Sequence, residues 1–108
     1  MNDDDLRRER RAALEAMVAA DPDDAFALYG LAIERKNDED YEAAELLLRR
    51  LLVIDPVHLY GYYQLGEVLL ADDRPEDAAD VLQEGLERAL AAGDSKAAGE
   101  LQALLDET

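Results

Sequence analysis

A chain that repeats itself at a fixed interval folds as a stack of like units, and this sequence repeats at an offset of 34 residues. Asp21-Pro22 recurs as Asp55-Pro56. The same offset pairs Leu28 with Tyr62, Tyr29 with Tyr63, Leu31 with Leu65 and Ala32 with Gly66. It also pairs Glu42 with Glu76, Ala44 with Ala78, Leu48 with Leu82 and Leu52 with Leu86. Small residues fall on small ones and large apolar residues on large apolar ones. One interval further back, Leu48, Leu51 and Leu52 map onto Leu14, Met17 and Val18, so half a unit precedes the first full one. Arg10 then stands where the next unit has Ala44; on a terminal helix, that position can face water.

Within each unit the apolar residues recur at helical spacing, and no segment alternates as a strand would. Helices are expected over about Asp5–Ala20, Asp24–Lys36, Tyr41–Ile54, Val57–Ala71, Pro75–Ala92 and Ser95–Asp106. The starts carry capping chemistry: one of Asp3 to Asp5, Asp23 or Asp24, Asp40, and Asp94 or Ser95. Pro75 suits a first helical position, where its missing N–H costs nothing. The stops are Asp21-Pro22 and Asp55-Pro56, because a residue before proline avoids the α region, and Gly93, a natural C′ residue.

This register resembles the tetratricopeptide-repeat (TPR) family, in which each unit is a pair of antiparallel helices. The family signature runs large-x-x-Leu-Gly-x-x-aromatic, then Ala-x-x-x-aromatic, then Pro. Over Ala25–His58 it reads Leu28-x-x-Leu31-Ala32-x-x-Arg35, then Ala44-x-x-x-Leu48, then Pro56. Over Leu59–Ala92 it reads Tyr62-x-x-Leu65-Gly66-x-x-Leu69, then Ala78-x-x-x-Leu82, with Leu90 in place of the proline. The resemblance implies an all-α fold, a right-handed superhelix of antiparallel pairs with about six helices. Its organisation would be a single domain: a half-repeat helix (5–22), two repeats (25–58 and 59–92) and a last helix (94–106). That last helix lacks the signature and is read as a cap over the apolar end of the stack, with its polar Lys96, Glu100, Gln102 and Glu107 wetting the outer face. Pairing with a second copy is its alternative role.

Charge bounds the partners. Asp and Glu total 27 against 11 basic residues, for a net charge of −16. Such a surface repels nucleic acid and anionic membranes. The acids are spread along the chain, which favours a solvated acidic surface of the kind halophiles use over one docking patch, and only Lys36 and Lys96 are lysines. At molar salt the Debye length falls to about 3 Å and self-repulsion is screened. The melting temperature is therefore expected to rise from low salt to molar KCl; a flat or falling value would count against this reading. No apolar run approaches the ~20 residues of a membrane span, and the charged start is unlike a signal peptide, so the expectation is a cytoplasmic protein.

Catalysis finds little to work with. The chain has no Cys, and its single His58, Ser95 and Thr108 fall at helix ends or the last position, so no enzyme activity is expected. The acidic clusters at 3–5, 21–24, 38–40 and 72–73 lack metal-loop spacing and are explained by caps and turns; no metal or cofactor is expected. Gly66 and Gly85 fall where close helix packing wants a small residue.

The expected function is a protein–protein interaction module. In the family, the first helix of each repeat lines a concave groove. The resemblance assigns Phe26, Tyr29, Ile33, Lys36 and Asn37, then Tyr60, Tyr63, Gln64 and Glu67, to a partner-binding groove. Read without the family, the second helix carries two apolar faces, Leu28 with Leu31 and Ala32, and Phe26 with Tyr29 and Ile33. One serves the core and leaves the other for something else. Tyr41 and Tyr62 fall at packing positions. TPR domains that hold chaperone C-terminal carboxylates use Lys and Asn one turn apart on the first groove helix. Tyr29 and Ile33 occupy those positions here, and Gln64 replaces the next Asn, so that clamp is absent. The expected guest is an apolar or amphipathic helix or an extended segment. The alternative is a homodimer formed through the aromatic face or the last helix.

Overall fold

The computed structural model describes residues 2–108. Among them are six helices: α1 (Asp3–Ala20), α2 (Ala25–Asn37), α3 (Tyr41–Ile54), α4 (Leu59–Ala71), α5 (Pro75–Ala92) and α6 (Ser95–Leu105). Most starts are set by a side chain that accepts the N–H three residues on. Asp24 accepts from Ala27 at 3.1 Å, Asp40 from Ala43 at 3.3 Å and Asp94 from Ala97 at 3.0 Å. Arg74 precedes α5 without such a bond, and Pro75 supplies the start instead.

Two expected starts shift, each for a capping reason. The cap of α1 is Asn2, accepting from Asp5 at 2.9 Å, so Asp3 to Asp5 form the first turn and face the positive end of the helix dipole. The cap of α4 is His58, whose Nδ1 accepts from Gly61 N–H at 2.9 Å; the helix begins at Leu59, two residues later than expected. Asp94 rather than Ser95 caps α6.

Stops follow two designs. α1 and α3 end at Asp21-Pro22 and Asp55-Pro56. α2, α4 and α5 end in a left-handed residue: Glu39 (φ 61°), Asp73 (φ 58°) and Gly93 (φ 71°). After each, an N–H reaches back five residues, as from Asp40 to the Arg35 carbonyl, Arg74 to Leu69 and Asp94 to Ala89, which satisfies orphan carbonyls. Glu39 and Asp73 are related by the repeat interval, so the turn inside each pair is reproduced down to its unusual backbone angle. An Asp-Pro stop would recur at 89–90, but Ala89-Leu90 stand there and the helix runs on to the glycine turn at Gly93. Accordingly α5 runs 18 residues where α3 runs 14.

Each helix packs on the next, and beyond that only α2 with α4 and α4 with α6 come into close backbone contact. The even helices thus form a tight layer, while α1, α3 and α5 sit apart in a second layer. Stacking draws the body out to 41 × 26 × 22 Å. Leu28, Leu48, Leu51, Leu65, Leu69 and Leu82 are fully buried between the layers, and α6 closes the far end with Leu101 and Leu104. Glycines let the layers approach. A Cβ at Gly66 would stand 2.4 Å from Leu82 Cδ2, and one at Gly85 2.5 Å from Tyr62 Cβ.

Ion pairs join the layers where apolar packing thins. Arg10 does not simply face water: its guanidinium bonds Glu34 at 2.7 Å, which lets Glu34 lie buried under α1. Glu45 on α3 accepts from Arg74 at 2.6 Å and from Arg49 at 2.9 Å. Burial alone would raise the Glu45 pKa, but the two guanidiniums outweigh it and hold the carboxyl below its ordinary value. With the folded pKa depressed, the stabilisation is present above the unfolded pKa and is lost as pH falls through the folded one. Urea titrations from about pH 6 to about pH 3 are expected to show falling stability, and Glu45→Gln to flatten part of that slope. An unchanged slope would remove Glu45 from the acid response.

Candidate functional site

The even helices α2 and α4 carry the residues assigned to a groove from the sequence. On α2 the positions left by the core residues Leu28, Leu31 and Ala32 place Phe26, Tyr29, Ile33 and Lys36 along one stripe, at steps of three and four. On α4 the matching stripe is Tyr60, Tyr63 and Glu67, with Gln64 beside it.

The aromatic members meet. The Tyr29 and His58 rings lie 5.1 Å apart and tilted, and Tyr60 and Tyr63 meet edge-on at 6.5 Å. His58 is therefore half-buried, a helix cap with a tyrosine against its ring, and not the exposed terminal histidine that its position in the sequence implies. Tyr29, Ile33 and Tyr63 are half-buried, and Tyr60 is 37% exposed. Phe26 is 75% exposed, at the start of α2.

The polar members are engaged with one another. Lys36 Nζ donates to Gln64 Oε1 at 2.6 Å and to Glu67 Oε1 at 3.1 Å, tying the end of α2 to α4. Asn37 is the last residue of α2. It borders a hollow of about 280 Å³ between α1 and α2, with Arg7, Arg8 and Arg11. On the opposite side, a hollow of about 340 Å³ between α3 and α5 is lined by Leu52, Val53 and Val81, with Arg88 over the Tyr62 ring at 5.9 Å.

α6, absent from the sequence-based assignment, packs on α4 as well as on α5. Glu100, expected to wet an outer face, is half-buried and near enough to act on the Tyr60 hydroxyl. Its hydrogen bond, then burial, then the charges of Glu100 and Asp94 raise the Tyr60 pKa, and Tyr29 is near enough to add to the shift. Burial first, then Glu67, Glu100 and Glu107, raises that of Tyr63. Both hydroxyls therefore stay protonated donors at neutral pH. A signal for α6 exists in the sequence: at an offset of 36, Tyr60 maps to Lys96 and Gln64 to Glu100. α5 is four residues longer than α3 and the connection after it two residues shorter, and the net shift of two hides the match from a search at the regular interval.

Among the described residues, no group of three His, Cys, Asp or Glu side chains converges as a metal site would, and no helix is long and apolar enough to cross a membrane. The Thr108 hydroxyl donates to the Leu105 carbonyl at 2.7 Å.

No family model and no curated protein matches the sequence. Solved structures do. A Yersinia enterocolitica type III secretion translocator chaperone, SycD, shares the fold with a TM-score of 0.85 at 16% identity, over 96% of this chain and 72% of its own. A protein from Bordetella parapertussis has a TM-score of 0.78 at 29% identity, over 90% and 84%. A tetratricopeptide repeat domain protein from Salinibacter ruber, solved in solution, has a TM-score of 0.74 at 34% identity, over 81% of this chain and 88% of that one. Shared identity at that level along most of both chains, on top of helix pairs that recur with their turns intact, makes this chain a member of the tetratricopeptide-repeat family.

Proposed function

We propose that the chain is a protein-interaction module that takes a segment of another protein along the face of α2, α4 and α6. The observation that carries this reading is the aromatic cluster of Tyr29, His58, Tyr60 and Tyr63, left partly open on the layer of even helices. Tyrosine gives large contact area for little rotamer entropy and adds a hydroxyl donor, which is why it concentrates at recognition surfaces.

Capture from native lysate at high salt tests it. Tyr29→Ala and Tyr63→Ala are expected to release the partner that the unaltered chain holds. Retention of every captured protein by both variants, with the fold intact, would remove this face from the binding surface. Light scattering separates self-association: a dimer that hides Tyr29 and Tyr63 would make the guest a second copy.

A further inference from the structure

We propose that the molecule has a second docking site, the furrow between α3 and α5 on the layer away from the tyrosines, and that its occupant is a partner segment presenting bulky apolar side chains with a carboxylate one helical turn on. The furrow is built into the stack. α3 and α5 both pack on α4 but make no close backbone contact with each other, so α4 floors a gap walled by the two odd helices. Tyr62 and Leu65 seal the floor, at 3% and 1% exposure. Leu52 and Val53 line one wall and Val81 the other, around a hollow of about 340 Å³. Val53 is 82% exposed, more than any other large apolar side chain among the described residues. Leu46, two turns earlier on the same side of α3, is 67% exposed. The core uses neither, and an apolar strip beside a preformed hollow suits a helix or segment laid along it.

The polar groups at the two ends of the furrow decide what the segment carries. At one end stands Arg88, its guanidinium over the Tyr62 ring at 5.9 Å. Its Nε is buried with no hydrogen-bond partner, the one side-chain atom so placed among the described residues, and its terminal nitrogen reaches Glu84 only at 3.4 Å. A guanidinium with unused donors favours a carboxylate that completes its bonding. Glu84 does not bar a second acid: Arg74, just before α5, serves Glu45 at 2.6 Å and Asp77 at 2.9 Å together. The other end holds the opposite charge. Asp77 and Asp80 line an adjoining hollow with Arg49; Arg49 is paired to Glu45 and Asp77 to Arg74, while Asp80 has no ion pair among the described residues. The furrow therefore orients its guest, with the carboxylate towards Arg88 and away from Asp80.

The test uses the whole chain, labelled for NMR, with three end-blocked peptides that carry two leucines a helical turn apart and then glutamate, glutamine or lysine one turn on. At about 0.1 M salt the glutamate peptide is expected to shift the amides of Val53, Val81 and Arg88, and to bind about fivefold more tightly than the glutamine peptide. The net charge of −16 favours the reverse order, with lysine first, so a preference for the acid reports a local site. Arg88→Gln should abolish the preference for glutamate over glutamine, and Val53→Ser, at a position the core does not use, should weaken both peptides alike. Glutamine or lysine peptides binding the furrow as tightly as the glutamate peptide would overturn the acidic guest. Shifts on Tyr29, Tyr60 and Tyr63 alone would overturn the furrow and leave the tyrosine face standing. Shifts of Val53 and Val81 that grow with protein concentration in the absence of peptide would make the occupant a second copy and overturn the partner segment.

Discussion

Leu82→Ala is expected to lower the free energy of unfolding by about 3 kcal/mol in urea titration, and Gly66→Ala on the same background is expected to restore part of it. Leu82 is fully buried on α5, and its Cγ and Cδ2 lie 2.6 and 2.4 Å from where a Gly66 Cβ would be. Truncation loses the transfer energy of the buried methyls and leaves a cavity, which sets the size of the loss. On the unaltered background Gly66→Ala meets two opposed terms. Alanine gains up to about 1 kcal/mol in helix propensity. Forcing a methyl into occupied space costs about 1–3 kcal/mol, so the single change should be net destabilising. With Leu82 truncated, the new methyl enters vacated space and the propensity gain is realised. The double-mutant cycle should therefore be non-additive by about 1–2 kcal/mol. Additive losses would mean that α4 and α5 do not meet through this glycine.

The second large effect is at Gly85. A Cβ there would lie 2.5 Å from Tyr62 Cβ and 2.9 Å from Tyr62 Cγ. Leu82 can turn its branches away from a new methyl, whereas Tyr62 Cβ is fixed to the α4 backbone. The helices themselves must separate, and Tyr62 would also strain the bond its hydroxyl donates to the Pro56 carbonyl at 2.7 Å. Gly85→Ala is expected to cost about 2–3 kcal/mol, more than Gly66→Ala. Gly99 supplies the control. It also lies within a helix, but nothing stands within 4 Å of its Cβ position, so Gly99→Ala should stabilise by about 0.5–1 kcal/mol. A neutral or stabilising result at Gly85 would contradict the close crossing.

The architecture was readable because repetition exposes positions that a single copy would not. Asp-Pro stops, Asp40 and Asp94 caps and the paired Gly66 and Gly85 all carry their reasons in residue type and spacing. What escaped was decided by contacts between distant parts of the chain. His58 is a poor cap by composition and becomes one through its Nδ1, which accepts from the Gly61 N–H. Arg10 looks like a blemish in an apolar stripe until Glu34 is folded beneath it. Glu100 was hidden by a two-residue change of interval, which moves the last helix out of phase with the pattern while leaving it in line with α2 and α4.

That α1 touches α2 and no other helix has a consequence for how the molecule comes apart. Its single buried side chain is Leu14, against Gly30, with Val18 partly buried on the core, so little holds it once the ion pairs at Glu15, Glu34 and Asp38 let go. In a linear array, cooperativity passes only from neighbour to neighbour. Amide exchange should therefore be fastest in α1 and slowest about α4, which is gripped from α2, α3, α5 and α6, and the chain should fray from its first helix while the tyrosine trough is still whole.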